Sequence, residues 1–194
     1  MKIFFDTEFT GLHANTTLIS IGLVSEDDRQ FYGELSDYDI FQCDDWIKEN
    51  VLANSRFQRI NRYENNVNKD VYIPNYHLGN TFEMKCMLEN WLEQFKTVEF
   101  VSDVSHYDMT LLINLFGNAF DLPKNYCPAC YDINQDIMKK YNCSMQEAFD
   151  MSREDILYNN WKDKAVRGSK HNSLYDAKVI REIYQIINGY FDKR

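Results

Sequence analysis

The stretch Phe4-Phe5-Asp6-Thr7-Glu8-Phe9-Thr10-Gly11-Leu12 (FFDTEFTGL) runs two aromatics straight into two acids one residue apart. Residues Lys2 to Glu8 read as a short strand. Consecutive strand residues face opposite sides, so Asp6 and Glu8 share one face and Thr7 points to the other. Two carboxylates held side by side repel, and one takes up a proton unless a cation intervenes. A divalent metal resolves that conflict. D-x-E by itself is common among solvated surface acids, so its meaning depends on partners elsewhere in the chain.

The neighbouring segments set the fold class. Thr17 to Val24 (TLISIGLV) is rich in β-branched residues and reads as a second strand. Arg29 to Leu35 alternates and reads as a third, which gives an antiparallel meander at one side of a sheet. Asp44 suits the cap of a short helix from Asp45 to about Leu52. Residues 53 to 80 are polar and without a clear period, and read as an irregular excursion. Thr81 is placed as the N-cap of an amphipathic helix with Met84, Leu88, Trp91, Leu92 and Phe95 on its apolar stripe. Val98 to Val101 is a fourth strand, Asp108 to Phe116 a helix, and Tyr131 to Ile133 a short fifth strand. Helical segments follow to about Tyr158. Ser173 is placed as the cap of a last helix, with Gly189 just past its end. The order implies an α/β fold with a five-stranded mixed sheet flanked by helices, in a single domain over residues 1–194.

Composition narrows the class. Apolar residues make up 44% of the 194 and the net charge is −9, which describes a globular protein unsuited to gripping polyanions over a wide surface. It leaves room for an enzyme that takes a short nucleic-acid end in a local pocket. No signal peptide or membrane-length apolar run is present, so a cytoplasmic protein without membrane attachment is expected. Five cysteines at irregular spacing argue against a disulfide framework. The Cys127-Pro128-Ala129-Cys130 pair lacks a fourth zinc ligand nearby and reads as small buried thiols near a turn.

Two further motifs accompany the first. Ser102-Asp103-Val104-Ser105-His106-Tyr107-Asp108 directly follows the fourth strand, where ligands gather at the carboxyl end of parallel strands. Lys170-His171-Asn172-Ser173-Leu174-Tyr175-Asp176 opens the last helix. Taken singly, each has a structural explanation: a helix-dipole acid at Asp108, a loop acid at Asp103, a capping pair at Ser173 and Asp176.

Their joint order resembles the DEDDh 3′–5′ exonucleases of the DnaQ-like group, within the ribonuclease-H-like superfamily. Asp6 to Leu12 is close to that group's usual D-T-E-T-T-G-L. Tyr107-Asp108 matches the second motif, and His171 with Asp176 the third. Within the group the chain looks most like the small stand-alone exoribonucleases of the mycobacterial type. Two positions depart from the pattern: Phe9 stands where Thr is usual, and Asp103-Val104 replaces a His-Asn pair.

The resemblance implies a ribonuclease-H-like fold and a two-metal phosphodiester hydrolase. Asp6, Glu8, Asp108 and Asp176 would hold two Mg²⁺ or Mn²⁺ ions about 4 Å apart. His171 would be the general base, and nucleoside 5′-monophosphates would leave a single-stranded 3′ end, RNA favoured over DNA. Phe9, Thr10 and Leu12 would face the terminal nucleotide. Arg167 and Lys170, clustered with Lys162 and Lys164, and Arg56 with Arg59 and Arg62, would line the approach of the strand. A homodimer is carried over from related stand-alone enzymes. A DNA exonuclease of the proofreading type and an inactive nuclease-fold binding protein are the alternative readings.

Overall fold

The computed structural model describes residues 1–57, 75–160 and 166–189. Its centre is strand β1 (Lys2–Phe9), flanked on one side by β2 (Leu18–Ser25) and β3 (Gln30–Leu35) and on the other by β5 (Val98–Ser102) and β6 (Tyr126–Asp132). The meander is present: β1 pairs antiparallel with β2, and β2 with β3. β5 joins β1 in parallel, and β6 joins β5 in parallel.

A further strand, β4 (Tyr76–Gly79), pairs parallel with β3 at the edge. Among the described residues the sheet therefore has six strands, in the order β4-β3-β2-β1-β5-β6, not five. β4 lies inside the span expected to be an irregular excursion. Four residues ending in glycine, with no alternation, give an edge strand no pattern to announce it. Since β1 and β3 run alike, β2 is the one among these six described strands that opposes the rest. Arg59, Arg62, Lys162 and Lys164 lie outside the described residues.

Helices and helical turns position the rest. Asp44 does cap α1 (Asp45–Ile47), its carboxylate accepting from the Ile47 N–H at 2.8 Å, and the chain continues as a wider helical turn over Lys48–Leu52. α2 (Thr81–Leu92) buries Met84, Leu88, Trp91 and Leu92 as its spacing dictates. Its cap is Asn80, not Thr81, in a reciprocal pair with Glu83. α3 (Ser105–Phe116) starts three residues before Asp108. The connecting layer is α4 (Asn134–Tyr141), α5 (Met145–Asp150) and α6 (Arg153–Asn160). α7 (Ser173–Ile187) closes the fold, and its cap is Asn172, one residue before the expected Ser173.

The alternation of β1 divides the core. Ile3 and Phe5 pack with α2 and α3 on one face, and Phe4 packs with α4 to α7 on the other. Asp6 and Glu8 continue the Phe4 face, toward α7, while Thr7 continues the opposite face, toward α3. The start of α7 sits hard against β2: Ser20 and Ser173 hydroxyls are 3.0 Å apart, and a Cβ on Gly22 would fall 2.2 Å from the Leu174 nitrogen. Cys127 and Cys130 lie on edge strand β6 with free thiols, Cys127 exposed, and so are not small buried groups at a turn. Among the described residues, no helix is long and apolar enough to cross a membrane.

Candidate active site

The carboxyl ends of β1 and β5 and the first turns of α3 and α7 meet at a cleft of about 470 Å³. Asp6, Glu8, Asp108, Asp176 and His171 all line it, gathered from positions far apart in the chain. Carboxylate oxygens of Asp6, Glu8 and Asp176 lie within 4.8 Å of one another, and so do those of Asp6, Asp103 and Asp108. Asp6 is common to both groups.

Each acid has its own support. Asp108 is buried, and its Oδ1 accepts from the Thr7 N–H at 3.1 Å and from the Thr7 hydroxyl, while Oδ2 accepts from Ser102. The residue between Asp6 and Glu8 thus orients the second motif from its own face of the sheet. Asp176 accepts from the backbone N–H of His171 at 2.9 Å. Asp6 Oδ2 is sealed from solvent and has no hydrogen-bond partner among the described residues.

Burial pushes the carboxyls toward their neutral forms, and the acids' mutual repulsion adds to it. Asp108 is raised to about 7 by burial, against the hydrogen bonds from Ser102 and Thr7. Asp176 is raised to about 8 by burial and then by the charge of Asp103. Asp6 and Glu8 are raised well above the ordinary range, first by burial, then by neighbouring carboxylates. A buried acid left unpaired among other acids is the electrostatic situation that a divalent cation relieves. The donor set is all oxygen, the choice of hard cations such as Mg²⁺ and Mn²⁺.

His171 occupies a left-handed backbone conformation, φ +62°, uncommon outside glycine though tolerated by His. Its ring meets the edge of Trp46 with centroids 5.0 Å apart. Burial and then the charge of Lys170 hold its pKa below the usual histidine value, so the imidazole is neutral at pH 7.

Of the other candidates, Phe9, Leu12 and Lys170 line the cleft. The Phe9 ring stacks on Tyr107, centroids 5.1 Å apart and 13° from parallel, and packs against the α2–α3 core. Leu12 stands 78% exposed at the rim. Thr10 is buried, and its hydroxyl is spent within the protein, accepting from Thr17 N–H at 2.9 Å across the β1–β2 turn and donating to Gln42 from the segment after β3. Arg167 lines a neighbouring concavity instead of the cleft.

Two cleft residues escaped sequence reasoning. Asp103, read as a loop acid, is a fifth carboxylate of the cluster. Arg153, from α6, donates to Asp103 at 2.9 Å, to Asn134 Oδ1 at 2.6 Å and to the carbonyls of Ala148 and Met151. The position of Asp103 just past a strand end was a signal for it; Arg153 had none.

Comparisons with known proteins bear on the family and the fold. The model of the "3′-5′ exoribonuclease Rv2179c-like domain" matches residues 1–188. The 3′-5′ exoribonuclease Rv2179c of Mycobacterium tuberculosis is 38% identical over 52 residues, a segment covering 27% of this chain and 31% of that protein. The similarity thus spans about a third of that relative's length. Among solved structures, the nuclease domain of 3′hExo, a DEDDh family member bound to rAMP, superposes with a TM-score of 0.64 at 13% identity, covering 99% of this chain and 92% of that one. The Mg²⁺- and Mn²⁺-bound form of S. pombe Pop2p gives 0.58 at 15% identity, covering 98% and 84%. At such identities the likeness concerns the fold, the ribonuclease-H-like arrangement expected of the chain. With the family model matched over nearly the whole sequence, the chain belongs to the Rv2179c-like 3′-5′ exoribonuclease domain family.

Proposed function

We propose that residues 1–194 form a single metal-dependent 3′–5′ exonuclease domain that shortens single-stranded RNA and releases nucleoside 5′-monophosphates. The observation that carries this is the cluster of carboxylates around the unpartnered, buried Asp6 Oδ2 at the floor of an open cleft. Asp6, Glu8, Asp108 and Asp176 would hold the two cations, with Asp103 completing the Asp6–Asp108 side. Divalent cations supply Lewis-acid stabilisation of the charge that develops on a phosphodiester.

The chain's own groups do the rest. A neutral His171 takes the proton of the attacking water on a ring nitrogen. Its left-handed backbone and the bond from its N–H to Asp176 fix where the ring starts from. Lys170 brings positive charge to the cleft for the phosphate. Leu12 and the Phe9–Tyr107 stack offer apolar surface to the terminal nucleoside, a contact that does not read base identity. RNA is preferred as the substrate because the family and its mycobacterial relative carry that activity in their names.

The decisive experiment incubates the protein with 5′-labelled single-stranded RNA and DNA of one sequence, with Mg²⁺, Mn²⁺ or chelator. A ladder that shortens from the 3′ end only with metal, faster on RNA, is expected. Faster shortening of DNA reassigns the substrate. Wild type and Asp6→Ala behaving alike on both strands would sink the enzyme reading.

A further inference from the structure

Behind the loop that carries His171 lies a second concavity, of about 220 Å³. The two spaces share this loop as a wall. Lys170 and His171 line the cleft, while Arg167, Ser169 and Asn172 line the space behind. Its chemistry is the reverse of the cleft's. Arg56, Arg167 and Lys178 converge on it, and among the described residues no carboxylate lines it. In a chain with 30 acids against 21 bases, such a lining is an exception.

Among the described residues, no salt bridge neutralises Arg56, Arg167 or Lys178. The Arg56 guanidinium lies over the Tyr76 ring at 4.9 Å, which uses its face and leaves its N–H edge for an acceptor. Lys178 is half-buried on α7. A half-buried ammonium without a paired counter-ion is costly, and a bound anion offsets that cost.

The floor is tied to the catalytic loop. The Asn172 side-chain amide donates to the Tyr32 hydroxyl and to the Asn54 carbonyl, both at 3.1 Å. The same side chain's Oδ1 accepts from Tyr175 N–H at the start of α7. Asn172 is the chain neighbour of His171.

We infer that this concavity binds a phosphate of the substrate strand upstream of the 3′ end, holding polynucleotides by their backbone on the far side of the His171 loop. The identity of the strand rests on the nuclease reading. Such a site gives the acidic protein a local anion pocket outside its acidic cleft, and makes affinity depend on strand length.

Binding separates the two ideas, because it is measured with Asp6→Ala protein in chelator, where nothing is cleaved. Fluorescence anisotropy with 5′-labelled dinucleotides and longer single strands, over a range of salt, is the readout. Arg56→Gln with Lys178→Gln should weaken the longer strand about tenfold. The slope of log affinity against log salt should shrink by about 0.7 for each phosphate that is no longer neutralised. Dinucleotide binding should stay unchanged. Lys178→Arg keeps the charge and should keep the affinity, which guards against a mere folding defect. Wild-type strand affinity and salt slope in the double variant would overturn the inference. So would a double variant that loses only inorganic phosphate or nucleoside monophosphate as competitors, since the site would then serve free anions. If wild type cleaves nothing yet the double variant loses strand affinity, the catalytic reading falls and the phosphate site stands.

Discussion

The backbone N–H of His171 donates to Oδ2 of Asp176 at 2.9 Å. The residue proposed as the base and a proposed metal ligand are therefore joined by the main chain of one and the side chain of the other. Removing the imidazole leaves the bond in place.

His171→Ala should for that reason lower kcat by about 10²–10⁴-fold while divalent-cation affinity stays near wild type. Calorimetric metal titration beside single-turnover cleavage checks both halves. A collapse of metal affinity would remove His171 from the role of base.

The raised carboxyls predict a pH-dependent response to metal. Asp108 and Asp176 titrate near 4 when unfolded, by the ordinary value of about 3.9, and at about 7 and about 8 when folded. A group more protonated folded than unfolded makes stability fall as pH rises through that window. Without divalent cations the protein should lose stability from about pH 4 to about pH 8. Bound cations need the deprotonated acids, so the Tm gained from Mg²⁺ or Mn²⁺ should grow over the same range. Thermal melts with and without metal at several pH values test this. Asp108→Asn with Asp176→Asn should flatten both trends.

Arg153 and Asp103 are little exposed, 14% and 16% at their side chains. Arg153→Leu strands the Asp103 charge, so a loss of about 3 kcal/mol or more is expected in denaturant unfolding. Asp103→Asn keeps an acceptor for Arg153 and removes one negative charge from the cluster. It should cost little stability while weakening metal binding, measured by titration.

Phe9 is both a cleft residue and a packing residue. Phe9→Thr, the usual residue of the resembled group, removes the stack on Tyr107 and should destabilise by about 1–2 kcal/mol. KM for RNA should rise with it. If stability falls and KM stays put, Phe9 serves the core alone.

How far the sequence could be read follows from what each residue depends on. The shared face of Asp6 and Glu8 was legible because strand alternation is a local rule. The motifs far along the chain were legible through their order. The caps were missed by one position at Asn80-Thr81 and Asn172-Ser173, where two good capping residues stand side by side and propensity cannot choose. Strand β4 was missed because four edge residues carry no period. Asp103 was underread because its direction depends on Arg153, fifty residues later and on a helix of its own. Thr10 went the other way: its hydroxyl is spent within the protein because Thr17 and Gln42 fold back to it.

Gly22 has a hydrogen atom where any other residue would drive a carbon into the start of α7. Drift at this site is therefore not gradual. Even the smallest replacement asks for a compensating shift of the element that carries Asp176. The atoms in the way are main-chain atoms of Ser173 and Leu174, which no replacement of their side chains removes, so position 22 is held to glycine by the placement of α7 itself. A silent strand glycine, far from the last motif in sequence, thereby limits the evolutionary paths open to the site.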